Sequence, residues 1–203
     1  MIHRKAHRLC LLFTVYCICL GADLAWVLAS ILLFVICCAV IPMDTATIDK
    51  ILSRNQETKK FYHGCFPANQ LLNCKSFPCT MVVNTDPANE PGSHWCALFA
   101  PNKQVAYFFD SYGDKPNEFV EKYLKANFDQ VVRNRRPFQS IISNVCGHYT
   151  IFVIHLLSLG LSYEKILKLL ASFTDPDSIV FNYVNEIKDI HLLPFAVGHR
   201  ANL

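Results

Sequence analysis

The sequence predicts an α+β domain, a small antiparallel or mixed sheet flanked by helices, preceded by a separate apolar segment. Three observations predict it. Residues 94–110 hold two short arms rich in β-forming side chains around a turn that carries Pro and Asn. Capped, amphipathic stretches of helical period lie further along the chain. Residues 147–158 form an apolar run with no Pro and one Gly, at its start, which reads as a buried helix.

The first 42 residues stand apart. Of the 203 residues, 52% are hydrophobic and 17% charged, and the apolar excess is concentrated at the front. Residues 9–42 carry one charge, Asp23, and residues 24–41 carry none. Such a run has about the 18-residue length a helix needs to cross a bilayer. Arg4, Lys5 and Arg8 precede it, which as a signal anchor would leave the N-terminus cytoplasmic. A cleaved signal peptide and an upstream extension, with an internal start at Met43, are the other readings. The expected organisation is therefore residues 1–42 as this segment and 43–203 as the working domain. Localisation follows from it: membrane-associated if 24–41 are retained, otherwise cytoplasm or nucleus.

Cysteine usage argues against an oxidising compartment. The ten Cys divide into 10, 17, 19, 37 and 38 in the front and 65, 74, 79, 96 and 146 behind it. The second set is odd in number and has neither a CxxC pair nor zinc spacing, so reduced thiols are expected. Charge nearly balances from Met43 onward, with 16 Lys and Arg once Arg4, Lys5 and Arg8 are set aside, against 15 Asp and Glu without Asp23. No basic domain supports nucleic-acid binding, and Arg133, Arg135 and Arg136 read as a solvated loop.

Asp44 or Thr45 caps a helix to about Arg54. Residues 61–80 carry Gly64, Pro67 and Pro78 and read as loop. Residues 80–84 form a short strand and 85–93 a loop. The hairpin follows, with arms 94–99 and 105–110. A five-residue turn sets Phe99 opposite Val105 and His94 opposite Asp110, which brings an imidazole and a carboxylate together. Asn117 caps a helix to Asn127, and residues 129–145 read as strand and loop. A helix from Cys146 to about Leu157 stops before Gly160. Residues 163–173 are amphipathic. The last helix opens at Thr174-Asp-Pro-Asp, with Pro in its first turn, and runs to about Ile190.

Cys146 begins the buried helix, where unpaired N–H groups and a partial positive charge favour thiolate. A nucleophile needs a base and a group to orient it. His94 suits the base, Asp110 the orienting acid, and Gln139, with the Cys146 N–H, the donors to a developing oxyanion. Taken singly, each has a plainer reading: a buried thiol, a strand-end residue, a turn former, an ordinary amide. Cys96, two along from His94 on the same strand face, is able to approach the site, but is expected to be packing. His63 and Cys65 lack a second ligand pair, so no metal site and no cofactor are expected. His148 points away from Cys146, and His155 is a satisfied helix residue.

Together these residues carry a resemblance. The strings Asn84-Thr85…Gly92-Ser93-His94-Trp95, Phe109-Asp110-Ser111-Tyr112-Gly113 and Gln139-x6-Cys146-Gly147 are similar to those of the adenovirus protease (adenain) family, closest to the adenain-like proteases of Polinton (Maverick) transposons. The order His, acid, Gln, Cys is also that of the ubiquitin-like-protein-specific proteases, which share the fold. The resemblance spans about residues 61–157. It implies a thiol endopeptidase cutting precursor virion proteins near small residues, with His94 as base, Asp110 as acid, Gln139 in the oxyanion hole and Cys146 as nucleophile. Its partners are protein or peptide substrates. An activating peptide stays a candidate, although residues 111–138 hold no Cys to match the one by which adenain tethers it. The segment between Asp110 and Gln139 is shorter than in adenain, and the apolar front has no counterpart. Three alternatives stay open: a protease or isopeptidase acting on ubiquitin-like modifiers, a catalytically silent membrane-anchored binding module, and an acetyltransferase with the same residue order.

Overall fold

The computed structural model describes residues 43–189. The segment 1–42, with its expected membrane span, and the expected end of the last helix at Ile190 lie outside the described residues. Among the described residues no helix is long and apolar enough to cross a membrane.

The domain is α+β, as expected. Helix α1 (Thr45–Arg54) starts at Asp44, whose carboxylate accepts the Thr47 N–H at 2.7 Å. Five strands follow in one mixed sheet, in spatial order β1 to β5: β1 (Tyr62–Pro67), β2 (Cys79–Asn84), β3 (Trp95–Ala100), β4 (Val105–Phe109) and β5 (Gln130–Arg133). The centre, β2–β3–β4, is antiparallel, whereas β1 and β5 pair in parallel at the edges. Helix α2 (Glu118–Asn127) lies between β4 and β5 in sequence. Helices α3 (Cys146–Ser158), α4 (Tyr163–Ser172) and α5 (Pro176–Asp189) follow.

Both faces of the sheet are covered, so all six residues of β2 are buried. On one face Met81, Val83, Cys96, Leu98 and Phe108 pack with Val120 and Leu124 of α2. On the other, the Phe109 ring stacks with Tyr149 of α3. Helix α3 is buried from Gly147 to Leu157, which is why its sequence is apolar all round rather than amphipathic.

Three expectations are corrected. Residues 61–80 are not all loop, because β1 pairs with β2 in parallel; the register shift between Tyr62 and Cys65, around Gly64, disguises the strand pattern. Cys74 and Cys79 form a disulfide with Cα atoms 6.1 Å apart. The chain folds back within five residues, a spacing that matches no motif. The hairpin register also differs from the expected one. Phe99 opposes Tyr107, not Val105. Asn102 accepts the N–H groups of Gln104 and Val105 at 2.9 and 3.1 Å, so Val105 closes the turn instead of pairing with Phe99. The shift is two residues, an even number, and every side chain keeps its face.

Candidate active site

His94 stands just before β3. The Thr85 N–H holds its carbonyl at 2.9 Å, so the end of the β2–β3 ladder fixes its backbone. Continuing the observed register by one step sets Cys96 opposite Asp110 and leaves His94 on the diagonal. A diagonal neighbour is within reach of a long side chain, and His94 Nε2 lies 3.0 Å from Asp110 Oδ2. The Tyr112 ring packs against the imidazole, with centroids 4.9 Å apart.

Asp110 is 3% exposed and is held from several sides. Oδ1 accepts the Tyr112 N–H at 2.7 Å, while Oδ2 faces both His94 and the Cys96 thiol, whose Sγ is 3.1 Å away. Its backbone is clamped by Asn134, which accepts the Asp110 N–H at 3.0 Å and donates to its carbonyl at 2.6 Å. Gly113 closes the turn by donating to the Asp110 carbonyl at 2.9 Å. Its φ is +75°, and a Cβ there would lie 2.9 Å from the Arg135 carbonyl oxygen. The Asp-Ser-Tyr-Gly string therefore needs Gly at its end for both conformation and space.

Cys146 is the first residue of α3, preceded by Val145, which offers no side-chain cap. The thiol lies where His94 and the backbone N–H groups of Trp95 and Gly147 favour its thiolate form. Gly147 fits because α1 packs closely there; a Cβ would lie 3.0 Å from Met43 Cβ and 3.1 Å from Ile48 Cδ1.

The electrostatics favour an ion pair. Burial pulls the His94 pKa down, but the bonds to Asp110 and Cys146 outweigh it and push it up to about 9. Burial pushes the Cys146 thiol up, and His94 with the two N–H groups more than offsets this, holding it below the ordinary thiol value. Burial likewise raises Asp110, and His94, Cys96 and the Tyr112 N–H bring it below the usual carboxylate value. These are the environmental effects that activate a thiol.

Gln139 is 4% exposed and joins this cluster through Tyr112. Its Nε2 donates to the Tyr112 hydroxyl at 3.0 Å and to the Ser143 carbonyl at 2.8 Å, and its Oε1 accepts from Ser111 at 2.7 Å. Both amide protons thus point at protein acceptors.

The remaining candidates sort by position. His148 is buried against Phe181 of α5, with ring centroids 4.9 Å apart, and burial lowers its pKa to about 4. His155 Nδ1 meets the Tyr183 hydroxyl at 2.6 Å. Trp95 is both core and wall: its indole N–H donates to the Met43 carbonyl at 3.1 Å. It also lines a cavity of about 200 Å³ with Cys65, Asn84, Asp86, Glu90 and Gly92. A larger cavity of about 490 Å³ lies between α2 and β5 and is lined by none of the four candidates. Among the described residues, His94, Cys96 and Asp110 bring metal-ligating atoms within 4.8 Å of one another.

Sequence reasoning put Cys96 on the His94 face and within approach of the site, where the structure sets its thiol against Asp110. It missed the roles of Asn134 and Tyr112. Asn134, in a polar loop between two Arg, gave no signal.

No protein-family model matches the chain. It is 30% identical over 122 residues to R355 of Acanthamoeba polyphaga mimivirus, which carries a thiol-protease name; the match covers 54% of this chain and 37% of that protein. It is 26% identical over 120 residues to S273R of African swine fever virus, named a cysteine protease or a SUMO-1 cysteine protease according to the isolate, covering 53% of this chain and 42% of that protein. The chain spans about two-fifths of the length of these curated relatives. Over about half of its own length, then, this chain is similar to viral proteins named as cysteine proteases.

Proposed function

We propose that the chain is a cysteine endopeptidase. One observation carries the reading: a buried carboxylate holds His94 at 3.0 Å, and the same imidazole lowers the pKa of a thiol at the first position of a helix. In this reading the Cys146 thiolate attacks the scissile carbonyl, and the backbone N–H groups at the start of α3 receive the developing oxyanion. His94 then gives its proton to the leaving amine, and water hydrolyses the acyl-enzyme with His94 as base. Asp110 orients the ring. Gln139 joins the oxyanion donors by turning one amide proton from Tyr112 or Ser143 toward the substrate. As in the adenain family that the motifs resemble, the substrates are precursor proteins cut near small residues.

A second reading, cleavage of a ubiquitin-like modifier, is favoured by the SUMO-1 protease name of the swine fever virus relative. One experiment tests both. The full chain and its Cys146→Ala variant are incubated with Gly-rich fluorogenic peptides and with a C-terminally extended SUMO precursor. Peptide cleavage that is lost in the variant supports the first reading, and selective trimming of the precursor supports the second. Cleavage of neither, with no thiol reacting faster with iodoacetamide than the rest, sinks the peptidase reading.

A further inference from the structure

The Cys96 thiol is absent from the proposed mechanism, yet it sits at its centre. It is fully buried, and its Sγ is 3.1 Å from the carboxylate oxygen that also faces His94. The adjoining arms of one hairpin thus supply a thiol, an imidazole and a carboxylate, with donor atoms all within 4.8 Å of each other.

This is a nitrogen, sulfur and oxygen donor set of the kind zinc accepts, and it leaves one tetrahedral position for water. The fit extends to charge. With Cys96 as thiolate, Asp110 as carboxylate and His94 neutral, a divalent cation makes the cluster electrically neutral, the form a buried site tolerates best. The ligands are also pre-oriented. The Tyr112 N–H holds Oδ1 at 2.7 Å, which leaves Oδ2 toward the other two groups. To admit the ion, the separations of 3.0 and 3.1 Å to Asp110 widen slightly, and the His94 and Cys96 donor atoms, within 4.8 Å of each other, draw together. The His94 side chain is 14% exposed, which gives the ion a way in.

We propose that His94, Cys96 and Asp110 form a binding site for a zinc-class divalent cation, whose entry switches the catalytic relay off. The ion takes the place of two protons, one from Cys96 Sγ and one from His94 Nε2, and both go to solvent. With Nε2 bound to metal, His94 no longer reaches Asp110 as a hydrogen-bond donor. Cys146 lies outside the three-residue group, so the catalytic thiol is not a ligand. The inhibitory role rests on the peptidase reading, whereas the metal site does not.

The test uses cobalt(II) as the probe, on full-chain protein carrying Cys146→Ala. Thiolate-to-cobalt charge-transfer absorption is expected, because Cys96 remains. It is expected to fall by one site's worth in Cys146→Ala/Cys96→Ser and in Cys146→Ala/His94→Ala. Every variant keeps the other cysteines, so the difference isolates this site, and circular dichroism checks that each has folded. The His94 variant serves if the buried serine does not fold. An absorption unchanged by both second substitutions overturns the proposal. So does one already lost in Cys146→Ala, which would place the ion on the catalytic thiol. In wild-type protein, micromolar zinc should inhibit peptide cleavage reversibly. Cobalt binding without any cleavage would keep the site and remove the peptidase reading.

Discussion

His94 and Asp110 meet on a diagonal: Nε2 lies 3.0 Å from Oδ2 although the strand register sets Cys96, not His94, across from the acid. One carboxylate oxygen therefore serves two neighbours, the imidazole and the Cys96 thiol. Burial drives the Cys96 pKa well up, so this thiol stays protonated and acts as a donor.

Replacing Asp110 by Asn should leave the fold in place and remove the charge that supports the imidazolium. We expect kcat to fall by about 10²- to 10⁴-fold, the range for losing an orienting acid. Steady-state kinetics beside thermal unfolding checks this. A variant as active as the parent would show that the carboxylate does not orient His94.

The pH dependence follows from the shifted groups. The proposed mechanism needs Cys146 as thiolate and His94 as imidazolium. The acid limb should fall below the ordinary thiol pKa, because the Cys146 value is lowered. The alkaline limb should lie near 9, where His94 loses its proton. The stability contribution of His94 is fully present below its ordinary pKa of 6.5 and is lost as pH rises through about 9. That of Asp110 is present above its ordinary 3.8 and is lost as pH falls through its lowered value. Iodoacetamide alkylation of Cys146 against pH is the measurement. A rate that rises only above pH 9, like that of an ordinary thiol, would contradict the ion pair.

Asn134→Ala leaves the buried N–H and C=O of Asp110 without their partner. Each orphaned group costs about 1–3 kcal/mol, so a loss of roughly 2 kcal/mol or more is expected. Because Asp110 also loosens, kcat should fall more than KM changes. Chemical denaturation and steady-state kinetics on the same protein read the two effects.

Gln139→Ala separates a donor role from a supporting one. As an oxyanion donor, Gln139 acts after the thiolate has formed. Its loss should cost about 10²- to 10³-fold in kcat with little change in the rate at which iodoacetamide alkylates Cys146. If both rates fall together, Gln139 instead holds the Tyr112 and Ser143 side of the site in place.

Elements whose signals are local were legible before folding. Asp44 and Asn117 cap helices as their side chains allow, the apolar stretch after Cys146 is a buried helix, and alternation along the hairpin put His94, Cys96 and Asp110 on one face. Features that depend on partners remote in the chain emerged from packing. Strand β1 is recognisable through its parallel pairing with β2. The Cys74–Cys79 bond needed the loop to fold back. The two-residue shift in the hairpin came from the Asn102 side chain closing the turn. That shift, invisible to face alternation because it is even, set the Cys96 thiol against the acid. The Asn134 clamp required a loop residue to cross to Asp110. Period and capping are properties of neighbours in sequence, whereas register and buried hydrogen bonds are settled by packing.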